Sequence, residues 1–356
     1  MSSKSWPGSA GLRRNRWSCA SVIPSSSGRI GPRTVTISPT RDPFTSGTIS
    51  AMSRHLGLDL GGTNLKWAVV ERDTQPRLLQ TGRVATDTGG GEQAVVRQLI
   101  EVARAVLRDT HHIDSIGVGM PGVLDPGSGI TRFIPNIPGN WAGVPVIAEM
   151  SKAVQSPARL INDARAFALA EHRLGAGRGA TSLLGITLGT GVGGGLILGG
   201  QLYLGRDGTA GEFGHQTILP DGPRCNCGNN GCLESLARAD AIAAACGQPG
   251  AEESVAAARA GDPRAQQGLI EVGRYLGIGA SNVVVLVGVD RIVVGGGIAA
   301  AGDILLDPLR QELARRVHVA DVDRVQVVGA ELGIWAGAIG AALFAADPID
   351  PHLHFV

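Results

Sequence analysis

Two stretches of this chain read as copies of one another, and that repetition restricts what it can fold into. LGLDLGGTNLKWAVV begins at Leu56, and LGITLGTGVGGGLIL begins at Leu184. Laid one on the other without a gap, apolar strand, glycine turn and second strand coincide, and Asp59 falls on Thr187. Each is predicted to be a hairpin, because short apolar runs flank a glycine cluster. A duplicated hairpin implies two related lobes, each contributing one turn, with a phosphate chain lying between them. Glycine-rich turns suit phosphate, since their backbone N–H groups can approach it closely. In DLGGT, Thr63 adds a hydroxyl. Asp59 closes a buried apolar strand, where it is placed to hold magnesium through water. An ordinary hairpin turn would account for the same residues.

A second signal lies in EFGHQTILPDGPRCNCGNNGCLES, residues 212–235. It holds three of the five cysteines, Cys225, Cys227 and Cys232, with His215 upstream in the pattern H-x9-C-x-C-x4-C. Three thiolates and an imidazole suit tetrahedral zinc, and with no ligand position left open the metal is structural rather than catalytic. Gly228 and Gly231 let the chain turn between Cys227 and Cys232. A segment pinned in this way fixes two carboxylates, Glu212 and Glu234, as a substrate site requires. Ordinary buried cysteines are the plain alternative. A disulfide framework fits less well, because the count is odd and no dense cysteine pattern occurs elsewhere.

The remainder frames these two signals. A length of 356 residues suggests about two domains. Glycine is abundant, at 53 residues, and aromatics are only 4%, which favours tight turns over an aromatic-packed sandwich. A net charge of +1 argues against binding nucleic acid or a charged membrane surface through the whole molecule. No apolar run reads as the roughly 18 residues of a bilayer span. With cysteine usage that fits a reducing compartment, this points to the cytoplasm. Residues 1–51 carry seven basic residues and one acid, Asp42, without sustained periodicity. They read as a disordered extension, a targeting peptide or a nucleic-acid-binding arm, with Met52 an alternative start.

Strands are expected near 78–85 and within 115–125, the latter ending in a Pro-Gly turn at Gly122. A helix is expected over 91–108, where Val95, Leu99, Val102 and Val106 share a face. The loop after Phe133 offers Asn136 and Asn140 either to a ligand or to its own turns. Asn162-Asp163 sits where a strand meets a helix, so Asp163 is an N-cap or a general base. Helical text follows from 236 to 245 and from 252 to 260. VVVLVGV at 283–289 has the β-branched content of a strand. RIVVGGGIA ends a strand in a third glycine turn, whose bare backbone can pack against a flat ring, and 332–345 is a small-residue helix.

DLGGT, GTGVGGG, EFGH and CNCGNNGCLES together resemble the ROK family of sugar kinases and repressors, and within it the bacterial glucokinases. The resemblance covers about residues 54–345. It implies a two-lobed actin-like, ribonuclease-H-like α/β ATPase fold with a cleft between the lobes. The first lobe would run from 52 to 163 with the helix 333–346 added to it, and the second from 164 to 332. It also implies one long helix over 264–287, against local β propensity.

Asp163 would be the general base, and Gly122, Asn162, Glu212, His215 and Glu234 would meet the sugar with it. Gly61, Gly62, Thr63 and Asn64 would meet ATP phosphates from one lobe, and Thr190, Gly191 and Gly193 from the other. Gly295 and Gly296 would lie under the adenosine, and Asp59 would position Mg2+. His215 would serve zinc and sugar together. Glucose is the expected acceptor, with N-acetylglucosamine, N-acetylmannosamine, fructose and allose open. DLGGT is the ATP-type rather than the polyphosphate-type turn. A homodimer or homotetramer is implied. A ROK repressor would add a DNA-binding winged helix-turn-helix, for which residues 1–51 are too short and too rich in Pro and Gly.

Overall fold

A computed structural model of the chain describes residues 52–73, 75–110 and 112–346. The expected extension over 1–51 and the residues after Ala346 lie outside the described part. The first sheet is built from β1 (Ser53–Leu60), β2 (Asn64–Arg72), β3 (Arg77–Ala85), β4 (Ser115–Met120) and β7 (Ala158–Asn162), in the order β3-β2-β1-β4-β7. Helix α1 (Gly91–Asp109) leads from β3 to β4. A small hairpin, β5 (Val123–Asp125) with β6 (Ile130–Phe133), and helix α2 (Val146–Val154) lie between β4 and β7. Helix α3 (Asp163–Leu174) then begins directly at the end of β7.

The second sheet repeats the plan. It contains β8 (Leu183–Leu188), β9 (Val192–Leu198), β10 (Gln201–Tyr203), β11 (Arg291–Gly295) and β12 (Gln326–Gly329), in the order β10-β9-β8-β11-β12. In both sheets an antiparallel three-strand meander is followed by two parallel strands. The duplication is thus a duplication of topology, as in the two-lobed actin-like ATPase fold. The gapless superposition of the two hairpins does not hold. Asp59 faces Lys66 across β1 and β2, whereas Thr187 faces Gly193, one residue earlier than the superposition requires. The second turn is one residue shorter. A one-residue slip turns every side chain to the other face of a strand. Here Gly193, Gly194 and Gly195 follow the turn, so there is no side chain to misplace.

Between β10 and β11 the chain forms α4 (Leu233–Ala237), α5 (Ala239–Cys246), α6 (Ala251–Arg259) and α7 (Pro263–Val287); α8 (Asp303–Arg316) precedes β12, and α9 (Ala336–Ala346) follows it. Helix α7 absorbs VVVLV, so no strand forms at 283–289. The helix is bounded by strong signals: Asp262 accepts from the Ala265 N–H at 2.7 Å, Pro263 takes the first position, and Gly288 ends it in the left-handed conformation. Burial of Leu269, Val272, Leu276 and Val284 against α8 and its neighbours outweighs local strand propensity. By length and composition α7 is long and apolar enough to cross a bilayer, contrary to the sequence reading; it is instead a core helix of the second lobe.

Helices α3 and α9 pack on each other, α3 against β8 and β9 and α9 against β1 and β4. The seating of α9 is backbone on backbone. A Cβ on Gly57 would stand 1.8 Å from the Ala338 carbonyl oxygen, and one on Gly117 would stand 1.8 Å from that of Ala341. Gly117→Ala is therefore expected to cost several kcal/mol, on the order of 3. Chemical denaturation would show it as a lower midpoint with an unchanged slope.

Candidate active site

The site begins where β7 passes into α3. Asn162 caps the helix, its Oδ1 accepting from the N–H groups of Ala164 (3.0 Å) and Arg165 (3.3 Å). Its Nδ2 donates to the carbonyl of Gly122 at 3.2 Å. Gly122 has φ +83°, and a Cβ there would lie 2.2 Å from the Phe133 carbonyl oxygen, so only glycine fits. The capping role open to Asp163 in the sequence therefore falls to Asn162. Among the described residues Asp163 accepts a single protein hydrogen bond, from its neighbour Ala164 N–H at 2.8 Å.

Asp163 keeps partial access to solvent while protein atoms crowd its carboxyl. Burial, and then the negative charge of Asp59, raise its pKa to about 6, against the opposing pull of the Ala164 N–H, Arg165 and Lys66. Asp59 is 7% exposed and bonded by Lys66 Nζ at 2.9 Å. Gly337 stands beside it, where a Cβ would be 2.6 Å from the Asp59 carboxyl carbon. Sequence reading missed Lys66 and Gly337. Lys66 was discoverable, because a hairpin closed by Gly61–Asn64 sets residues 59 and 66 opposite each other.

Arg165 was also missed. Its side chain is 3% exposed and its Nη2 donates to Glu212 Oε1 at 2.8 Å, while its Nε donates to the Ala210 carbonyl at 3.0 Å. A buried arginine two residues after Asp163 thus holds the strand-like approach to EFGH. Glu212→Ala would leave that guanidinium without its counter-ion, at a cost of about 1–3 kcal/mol. A drop in thermal midpoint, restored in part by Glu212→Gln, is the expected result.

The four metal-ligand candidates come together. One ligand atom from each of His215, Cys225, Cys227 and Cys232 lies within 4.8 Å of all the others. Cys227 Sγ and Cys232 Sγ are 3.6 Å apart, and Cys225 Sγ lies 3.8 Å from His215 Nδ1. A tetrahedral zinc with bonds of about 2.3 Å to sulfur separates two sulfurs by about 3.8 Å, so the spacing fits. Nδ1 points at the thiols, and Nε2 faces Glu212 Oε2 at 3.9 Å. Gly231 turns the chain with φ +65°, and Leu219 O leaves no room for a side chain there.

Glu234 ties this cluster to the second glycine turn. Its Oε2 accepts from Val192 N–H at 3.1 Å, and its Oε1 lies 3.8 Å from Cys225 Sγ. Gly191 leaves room for it, since a Cβ would fall 2.5 Å from Oε2. Thr190 at the tip is exposed. Gly193 backs onto the head of α3, where a Cβ would be 2.6 Å from both Ala164 Cβ and Thr187 Oγ1. In the first turn Gly62 and Thr63 are exposed, and the turn is held by Gly61 N–H to Asn64 O (3.0 Å) and by Thr86 Oγ1 to Gly61 O (2.7 Å). Gly295 receives the Phe167 ring and Gly296 the Leu188 backbone, whereas a Cβ on Gly297 would meet nothing.

The match of a family model decides the family: that of the ROK family fits residues 55–347. The chain belongs to the ROK family. A glucokinase of Thermotoga maritima is 35% identical over 313 residues, 83% of this ROK chain and 98% of its own length. A ROK hexokinase of Thermus thermophilus superposes with TM-score 0.70 at 38% identity, covering 82% of this chain and 98% of that one. A ROK family glucokinase of Streptomyces griseus, solved with glucose and AMPPNP, gives TM-score 0.71 at 34% identity over 83% and 99%.

Proposed function

We propose that this ROK protein transfers the γ-phosphoryl group of ATP to a hexose hydroxyl, with glucose the preferred acceptor and glucose 6-phosphate the product. One observation carries the reading. Asp163 stands at a helix head whose next residue packs on Gly193, accepts one hydrogen bond among the described residues, and has its pKa raised to about 6 by burial and the charge of Asp59. A carboxylate with spare acceptor capacity and a pKa near neutrality suits proton removal from an alcohol. Likeness to glucokinases along nearly their whole length supports the substrate class.

In this reading the sugar meets Asn162, Asp163, Glu212, His215 and Glu234, with Gly122 at the border. The first turn, Gly61–Asn64, and the second, Thr190, Gly191 and Gly193, receive the phosphates, and Gly295 and Gly296 the adenosine. Phosphoryl transfer through a loose transition state needs alignment and charge neutralisation above all. Lys66 holds Asp59 in place, Asp163 accepts the hydroxyl proton, and the Gly turns direct N–H groups at the transferring group. Mg2+ near Asp59 would supply charge neutralisation on the phosphates. Zinc, held by His215, Cys225, Cys227 and Cys232, would fix Glu212, His215 and Glu234 relative to one another. The reading places the protein in the cytoplasm, where its thiols stay reduced, and as a homodimer or homotetramer by family analogy.

A coupled assay over glucose, fructose, allose and N-acetylhexosamines, with ATP and with polyphosphate, tests the reading. The expected result is ATP-dependent turnover, highest on glucose. No turnover with any hexose would overturn it, and turnover confined to an N-acetylhexosamine would move the acceptor.

A further inference from the structure

The segment that delivers Glu212 touches the opposite lobe. Residues 204–211 run from β10 toward EFGH along the second lobe, and their inner side is fixed by Ala210 O on Arg165 and by Ala210 N–H on Leu204 O (3.0 Å). Their outer side meets the β5–β6 hairpin of the first lobe. Gly208, at φ +73°, lies so close to Pro126 that a Cβ would stand 2.8 Å from its Cδ and 3.9 Å from the Leu124 carbonyl oxygen. The hairpin tip is itself braced. Asp125 Oδ1 accepts from Gly127 and Ser128 N–H, both at 3.1 Å, and Asp125 Oδ2 accepts from Arg132 Nη2 at 2.9 Å. Across the seam Asp207 is bonded by Arg206, its Oδ2 lying 2.7 Å from Arg206 Nη2. The hydrogen bond from Arg206 holds the Asp207 carboxyl below its usual range, with the charge of Arg206 and, least, that of Arg132 adding to it.

The two ends of this contact lead to the sugar site by short routes. From Gly208 the chain reaches Glu212 within four residues. From β6, Phe133 O packs against Gly122, whose carbonyl holds Asn162. We propose that Pro126 of the hairpin and Gly208 of the strap are positioning residues that latch the lobes at the rim of the cleft and so set Glu212 and Asn162 at the distance a hexose needs. This rests on the sugar-kinase reading above. The latch acts chiefly, not wholly, on acceptor binding, since the strap packs on the second glycine hairpin at Gly211, three residues beyond Gly208.

The test is a steric exchange in the full chain. Gly208→Ala, whose Cβ would fall 2.8 Å from Pro126 Cδ, is expected to raise KM for the hexose about threefold. KM for ATP should stay within about twofold and kcat should change little. The double variant Pro126→Gly with Gly208→Ala, which removes the ring that the new methyl meets, should return KM for the hexose toward wild type, which a merely structural loss would not do. Gly208→Val, which cannot seat against Pro126, should raise it further, by about tenfold. Equal hexose KM in wild type and all variants would overturn the latch, as would a double variant no better than Gly208→Ala alone. Since wild-type turnover is measured beside them, failure of the latch stays separate from failure of the kinase reading.

Discussion

Asp163→Asn is expected to lose turnover by about a thousandfold or more while still binding its hexose, in line with the worth of a positioned general base. Asparagine keeps the shape and the contact with Ala164 N–H but cannot take a proton. Initial rates by coupled assay and hexose affinity by calorimetry give the two readouts. A variant that keeps more than about a tenth of wild-type kcat would show that another group accepts the proton. The wild type carries a matching pH signature. The carboxylate is the active form and its pKa is raised to about 6, so kcat/KM should climb with pH through that value and level off above it.

Stability should run the other way. The folded state holds this proton more tightly than an unfolded chain with the ordinary value of 3.8, so Asp163 favours folding at acid pH. That contribution fades as pH rises through about 6. At pH 8 the charged carboxylate is a burden on the fold, and Asp163→Asn should melt higher than wild type. Loss of rate with gain of stability separates a catalytic carboxylate from one that only holds the helix.

Cys227→Ser should have the second-largest effect. Cys227 is the exposed cysteine of the four ligand candidates, so serine disturbs the core least there while removing one of the proposed zinc ligands. The variant is expected to purify without the roughly one zinc per chain that a four-ligand structural site holds. Faster hydrogen exchange over residues 212–235 should accompany the loss. KM for the hexose should rise by about tenfold or more as Glu212, His215 and Glu234 lose their common anchor. The sequence alone suggests that sugar binding weakens more than ATP binding. The Glu234 bond to Val192 N–H agrees with some loss of the latter, because it carries the disturbance into the second glycine turn. A smaller rise in KM for ATP is therefore expected. Metal-free wild type with unchanged hexose KM would remove zinc from the account.

Most of the architecture was legible because repetition and glycine placement were written in the sequence. The first meander, α1 and the cysteine cluster follow from local pattern and spacing. Helices α2 and α8, strand β12 and the β5–β6 hairpin did not stand out, being short or irregular in pattern and fixed by packing. Register was hidden for a different reason. A slip inside Gly193–Gly195 carries no side-chain signal, so aligned letters gave the wrong partner for Thr187. At the site, the motif residues and Lys66 were findable, and the supports Arg165 and Gly337 were not. Arg165 reads as one more helical charge until the fold buries it beneath Glu212.

The close seating of α9 on Gly57 and Gly117 bears on how the protein is made. A ribosome releases β1 and β4 long before it has synthesised the helix that covers them. Until then these strands present bare backbone to the cell, and their layer is unfinished. The first lobe must wait, held open or sheltered by chaperones, for nearly the whole chain to emerge. Ribosome-bound chains stopped before Ala336 should therefore remain protease-sensitive in the first lobe.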